Sequence, residues 1–177
     1  MSVVVIPKQY ASGYSIEANT LEEALAYLMS RGYNPIYTPT IDFWKKLNEL
    51  CMGHILLYVP ELDVYVPFII FPNIRKGKIE LIQQNVGVLP IDQFIDYLLT
   101  YLATKGININ LPREEIKRRL ETGSRCVRWG FVWLYTPDLT EDLIKLLGIP
   151  PEIFMDLDDY LYNLSKMLEE RLNQLKL

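Results

Sequence analysis

The sequence predicts an α+β fold: a mainly antiparallel sheet, made of a meander plus one aromatic-rich central strand, with packed helices and a C-terminal helical hairpin. Three observations predict it. The stretch 54–84 consists of three β-rich runs joined by the turn-forming segments "ELD" and "NIRKGK". Capped amphipathic runs flank it on both sides. From residue 138 onwards the pattern is helical. Of the 177 residues, half are apolar and under a quarter are charged, so one folded domain over 1–177 is expected, with 138–177 as a helical subregion.

Taken in order, "VVVI" (3–6) is a short strand ended by Pro7. Thr20 is an N-cap for "LEEALAYLMSRG" (21–32), with Glu23 completing a capping box and Gly32 at the stop. The two prolines of "NPIYTPT" (34–40) exclude a helix there. Thr40 caps a second helix, "IDFWKKLNEL" (41–50), in which Ile41, Trp44 and Leu47, continued by Cys51, line one face.

"HILLYVP" (54–60), "VYVPFIIF" (64–71) and "KIELIQQ" (78–84) form the meander. Pro60 and Pro67 cannot donate a ladder hydrogen bond, which places them at strand ends, bulges or an edge. "PIDQFIDYLLTYLATKG" (90–106) begins on proline and stops on glycine, and Phe94, Leu98 and Tyr101 make its buried stripe. A shorter helix, "PREEIKRRLETG" (112–123), precedes the strand "RCVRWGFVWLY" (125–135). The helix "TEDLIKLLG" (140–148) and a long final helix from Pro151 complete the chain.

The longest apolar runs fall far short of the ~20 residues of a membrane span, and "MSVVVIPK" lacks the features of a secretory leader, so a cytoplasmic location is expected. The formal net charge of −4 argues against a protein that coats nucleic acid. Charge is nevertheless uneven. Residues 112–128 hold Arg113, Lys117, Arg118, Arg119, Arg125 and Arg128 against three glutamates, whereas 138–177 has nine acids against four bases. Glu114 with Arg118, and Glu115 with Arg119, have the i, i+4 spacing of local ion pairs. That leaves Arg113, Lys117, Arg125 and Arg128 as a patch for nucleic acid or an acidic partner. The 18 Ile and 12 Tyr against 5 Ala suit a thermophilic archaeon or one of its viruses.

Three stretches resemble known families. Aligned on Gly130, Phe131 and Val132, the 125–135 strand resembles the signature strand of RNA-recognition-motif proteins, whose aromatics stack bases. Its opening basic residue and glycine are replaced by Val127 and Arg128, and its last aromatic by Leu134. Alternation would place Val127, Trp129, Phe131, Trp133 and Tyr135 on one face, and the apolar character of both faces reads as a covered core strand. The stretch 140–161 resembles the helix-turn-helix of DNA-binding proteins: Thr140 opens the first helix, Leu143 and Leu147 face inward, Gly148 turns, and Ile149, Phe154 and Leu157 pack back. The groove-facing positions, however, are Pro150, Pro151, Glu152, Met155, Asp156 and Asp159, which phosphates would repel. The order helix, three strands, helix, strand resembles the restriction-endonuclease-like core. That resemblance implies Asp63 and Glu80 as metal-holding carboxylates, with Lys78 in place of a lysine that the family carries two residues after the second acid.

Cys51, His54 and Cys126 supply three of the four ligands that a closed zinc site needs, and no metal or other cofactor is expected. No phosphate-binding glycine loop or dinucleotide fingerprint is present. Leu161, Leu164, Leu168, Leu172 and Leu175 continue a stripe that offers an oligomer interface. The function expected is therefore non-enzymatic binding or assembly, with self-association and docking into a protein complex. The alternative is a nucleic-acid binding or processing protein, a metal-dependent nuclease if it is an enzyme.

Overall fold

The computed structural model describes residues 3–9, 13–37, 53–73 and 75–177. The helix expected at 41–50, with Trp44 and Cys51, lies outside these residues. The fold is α+β, with nine strands and five α-helices among the described residues. Two compact units are present, one made of residues 1–85 and 169–177, the other of 86–168. Each has its own cluster of buried apolar side chains. No helix among the described residues is long and apolar enough to cross a membrane.

The first unit is built on a six-stranded antiparallel sheet ordered β1-β2-β6-β5-β4-β3, comprising β1 (Val4–Pro7), β2 (Tyr14–Ala18), β3 (Asn34–Tyr37), β4 (Gly53–Val59), β5 (Val64–Asn73) and β6 (Lys78–Gln83). The meander β4-β5-β6 forms its centre. Strand alternation sends Ile55, Leu57, Val66, Phe68, Ile70, Leu81 and Ile16 into one cluster, together with Leu21, Ala24 and Leu28 of α1 (Leu21–Ser30) and with Leu172 and Leu175. Helix α1 links β2 to β3, four strand spacings away, or about 19 Å. Its ten residues span about 15 Å, long enough to carry most of that crossing. The expected cap is formed: Thr20 Oγ1 accepts from the Glu23 N–H at 3.2 Å. Both edge strands have four residues, and β3 contains Pro35 and a register shift, features that discourage further pairing.

Pro67 is not at a strand end. It lies inside β5 opposite Leu56 of β4. The reason is that the β5–β6 ladder runs only from Phe68 to Asn73, so Pro67 stands just beyond it, and its carbonyl still accepts from Gln84 N–H at 2.9 Å.

The second unit contains β7 (Val88–Pro90), α2 (Ile91–Thr104), α3 (Arg113–Gly123), β8 (Val127–Arg128), β9 (Phe131–Trp133), α4 (Asp138–Leu147) and, after a 3₁₀ turn at Pro151–Ile153, most of α5 (Phe154–Leu172). Its sheet is ordered β7-β9-β8. Phe94, Ile95, Leu98 and Leu102 of α2 enter the core, while Tyr101 is half-buried at its margin. Gly148 ends α4 in the left-handed conformation, φ 66° and ψ 30°, as expected of the turn. Thr140 sits in the first turn of α4, not at its cap; it is fully buried and its Oγ1 donates to Asp158 Oδ1 at 2.6 Å.

The segment 125–135 differs most from its sequence reading. It is not one strand but a tight hairpin, turned at Trp129 (φ 55°) and Gly130 (φ 77°), with Val127 opposite Val132 and Arg128 opposite Phe131. Two consecutive positive φ values are the requirement of a type I′ turn, whose twist matches the flanking strands. The reversal changes which side chains share a face. Val127 now lies with Val132 and Leu134 against the core cluster, and Arg128 lies with Phe131 and Trp133.

Candidate functional site

The nuclease arrangement is not formed. Asp63 occupies the β4–β5 turn with φ 49°, where its carboxylate accepts from Tyr58 Oη–H at 2.7 Å. Glu80 lies on β6 opposite Phe71, toward the far end of β5. The seven residue steps from Val64 to Phe71 extend about 23 Å. Two carboxylates on one cation would each have to be within about 2.5 Å of it, so Asp63 and Glu80 cannot share one. Lys78 pairs in register with Asn73 beside the β5–β6 turn and shares Glu80's face. Glu80 faces Glu17 of β2, whose carboxylate is answered by Lys76 at 3.1 Å.

Two of the three sulfur and imidazole candidates lie among the described residues. His54 lies on β4, Cys51 falls outside the described residues, and among those residues no group of three or more His, Cys, Asp or Glu could hold a metal ion. Cys126 is buried, and burial pushes its thiol up to about 11. That is the environment of an inert core cysteine.

The basic patch is neutralised where it stands. Arg113 meets Asp96 at 2.7 Å, Lys117 meets Asp92 at 3.2 Å, and Arg125 meets Asp142 at 3.1 Å. Asp142 is largely buried and also accepts from Ser124 Oγ–H and Arg125 N–H, so it fixes the entry to β8. Arg118 and Arg119 both bind Glu115, whose carboxyl their hydrogen bonds hold down at about 2. Arg128 instead lies over the Trp133 ring, 5.6 Å from its centroid. Trp133 is fully buried, and Trp129, 39% exposed at the hairpin tip, meets it edge-on at 5.5 Å. Because the chain reverses at Trp129 and Gly130, the alignment with an RNA-binding strand does not carry over: Gly130 is a turn residue, and the paired aromatics do not form a continuous open platform.

The leucine stripe expected to meet a partner is used within the chain. Leu161, Leu164 and Leu168 are buried in the core of the second unit, Leu172 and Leu175 in that of the first, each 6% exposed or less. An interface needs apolar area that is still open to water, and these side chains have almost none. The exposed side of α5 is mixed, with Met155, Asp156, Asp159, Tyr162 and Lys166.

One feature escaped the sequence reading. Between α2 and α3 residues 107–110 take no regular secondary structure and Leu111 is a bend, while half-buried and exposed side chains alternate from Ile107 to Leu111. Ile107, Ile109 and Leu111 pack against the second unit's core, and Asn108 and Asn110 are exposed. Gly106, at φ 69°, frees the chain from α2, and Ile107 N–H closes the helix end on Leu102 C=O at 2.9 Å. Among the described residues, no backbone–backbone hydrogen bond reaches residues 108–111. Open grooves flank the segment, one of about 490 Å³ lined by Leu99, Ala103 and Ile116, the other of about 360 Å³ lined by Arg119, Leu147 and Pro150. The available signal was the period-2 alternation of "ININL", embedded between two helices.

Compared with protein-family models, with curated proteins and with solved structures, the chain matches none.

Proposed function

We propose that this chain is a non-enzymatic binding or assembly protein that associates with copies of itself and docks into a protein complex. The observation that carries this reading is the 107–111 segment, whose Ile107, Ile109 and Leu111 pack against the second unit's core while, among the described residues, no backbone–backbone hydrogen bond reaches 108–111. Such a run offers another polypeptide the same template as a bare sheet edge. The separation of Asp63 from Glu80 and the local pairing of Arg113, Lys117 and Arg125 support it from the other side, since each removes a competing chemistry. Light scattering over a range of protein concentrations tests the reading: the expected result is a mass that rises with concentration.

A second reading, nucleic-acid binding, is favoured by Arg128 and the half-exposed Trp129 at the tip of the β8–β9 hairpin. An indole on a protruding turn can stack on a base, and a neighbouring guanidinium can meet phosphate. Quenching of tryptophan fluorescence by a single-stranded oligonucleotide, weakened by salt and lost in Trp129→Ala, would replace the first reading with this one.

A further inference from the structure

We infer that residues 107–111 are the strand through which two copies of this chain pair, antiparallel and centred on Ile109. The inference rests on the assembly reading above and names its surface and its partner.

The partner follows from the symmetry of the pattern. A twofold interface brings a patch onto itself, so residue i must suit residue j and the reverse. With Ile109 on the axis, Asn108 stands opposite the partner's Asn110, and Ile107 opposite the partner's Leu111. "ININL" has the same chemical order in both directions. A carboxamide both donates and accepts, so an Asn–Asn cross-strand pair satisfies itself, whereas charges of one sign at both positions would oppose each other. None of the five residues is charged. At the ends of the ladder Lys105 would approach the partner's Arg113, but Lys105 is already held by Asp156 at 3.3 Å and Arg113 by Asp96 at 2.7 Å.

The anchoring explains why the strand is ready. Ile107, Ile109 and Leu111 are fixed on the core, so little backbone entropy remains to be lost when the ladder forms. The ladder is short beside a standard interface of about 1,600 Å². Association is therefore weak and concentration-dependent, with a dissociation constant on the order of micromolar or above.

The experiment is sedimentation equilibrium combined with amide hydrogen exchange on the full chain. In the native protein, alternate amides within residues 108–111, those that face the partner strand, gain protection as concentration rises. The double substitution Asn108→Asp with Asn110→Asp puts carboxylate opposite carboxylate; both side chains are exposed in the single chain, so circular dichroism and melting temperature stay unchanged. Dimerisation then weakens at least about tenfold. Mixing this variant with Asn108→Lys plus Asn110→Lys restores a dimer of the two, because the opposed charges now attract. If the Asp variant dimerises as the native chain does, the contact lies on another face and this inference fails while the assembly reading stands. If the native chain sediments as a monomer at every concentration, both fail.

Discussion

The leucine stripe of α5 gives the sharpest test of how the chain uses its apolar residues. Leu161 is fully out of contact with solvent and belongs to the core of the second unit. Leu161→Ala removes roughly three carbon-sized groups, worth about 0.8 kcal/mol each in transfer alone, or about 2.4 kcal/mol together. The surrounding side chains cannot close the space completely, and the residual cavity raises the cost to about 3–4 kcal/mol. A chain of this length loses about 2–4 °C of melting temperature per kcal/mol, so the midpoint should fall by about 6–16 °C. The comparison is Met155→Ala on the same helix, at a site 69% exposed, which should stay within about 0.5 kcal/mol of the native protein. Urea unfolding followed by circular dichroism, with sedimentation alongside, reads both quantities. Core packing predicts a large loss of stability with the dimerisation constant unaltered in the folded protein. A Leu161→Ala protein that keeps its stability to within about 1 kcal/mol but dissociates would refute the reasoning, because it would mean that the stripe meets a partner and not its own sheet and helices.

Other consequences follow from single residues. Hydrogen bonds from Arg118 and Arg119 hold the Glu115 carboxyl down at about 2, well below the ordinary carboxylate range, so the stability it confers is fully present above that range and is lost as pH falls through it toward the lower value. Glu115→Gln should flatten the acid side of the melting-temperature profile within that window. Gly148→Ala forces a Cβ into φ 66° and should cost about 1 kcal/mol by denaturant titration, with Gly148→Asn costing less. Gly87→Ala brings a Cβ to 3.0 Å from Leu168 Cδ1 and 3.2 Å from Leu134 Cδ1; overpacking of this kind should destabilise by about 1–3 kcal/mol. Cys126, with its thiol pushed up to about 11, should resist maleimide in the native protein and react once denaturant opens the core; mass spectrometry of the labelled peptide distinguishes the two states.

Much of the fold was legible because it is local. Thr20 caps α1 by accepting from the Glu23 N–H, Gly148 stops α4, and the segments "ELD" and "NIRKGK" fall between the strands of the meander. These features depend on residues within a few positions of one another. The hairpin at Trp129 and Gly130 was less visible, since a type I′ turn prefers Asn or Gly at its first central position and a tryptophan there conceals it behind an unbroken aromatic run.

The candidate sites were legible as residue types but not as arrangements. Asp63, Glu80 and Lys78 have a suggestive order along the chain, yet an antiparallel meander puts one turn at each end of β5 and holds the two acids apart. Arg113, Lys117 and Arg125 look like free cations until the acids of α2 and α4 are brought beside them, at sequence separations of 17 to 25 residues. The 107–111 run shows the converse: its alternation was written plainly, but only the folded chain shows that, among the described residues, no backbone–backbone hydrogen bond reaches 108–111.

The sequence by itself determined the α+β class, the helix stops and the meander, because propensity, capping and period act over a turn or a strand. Tertiary structure decided which apolar stripe is covered, which charges are answered and which backbone is left open. Those outcomes depend on contacts between residues far apart in the chain, and a one-dimensional pattern specifies the face a side chain takes without specifying what comes to lie against it.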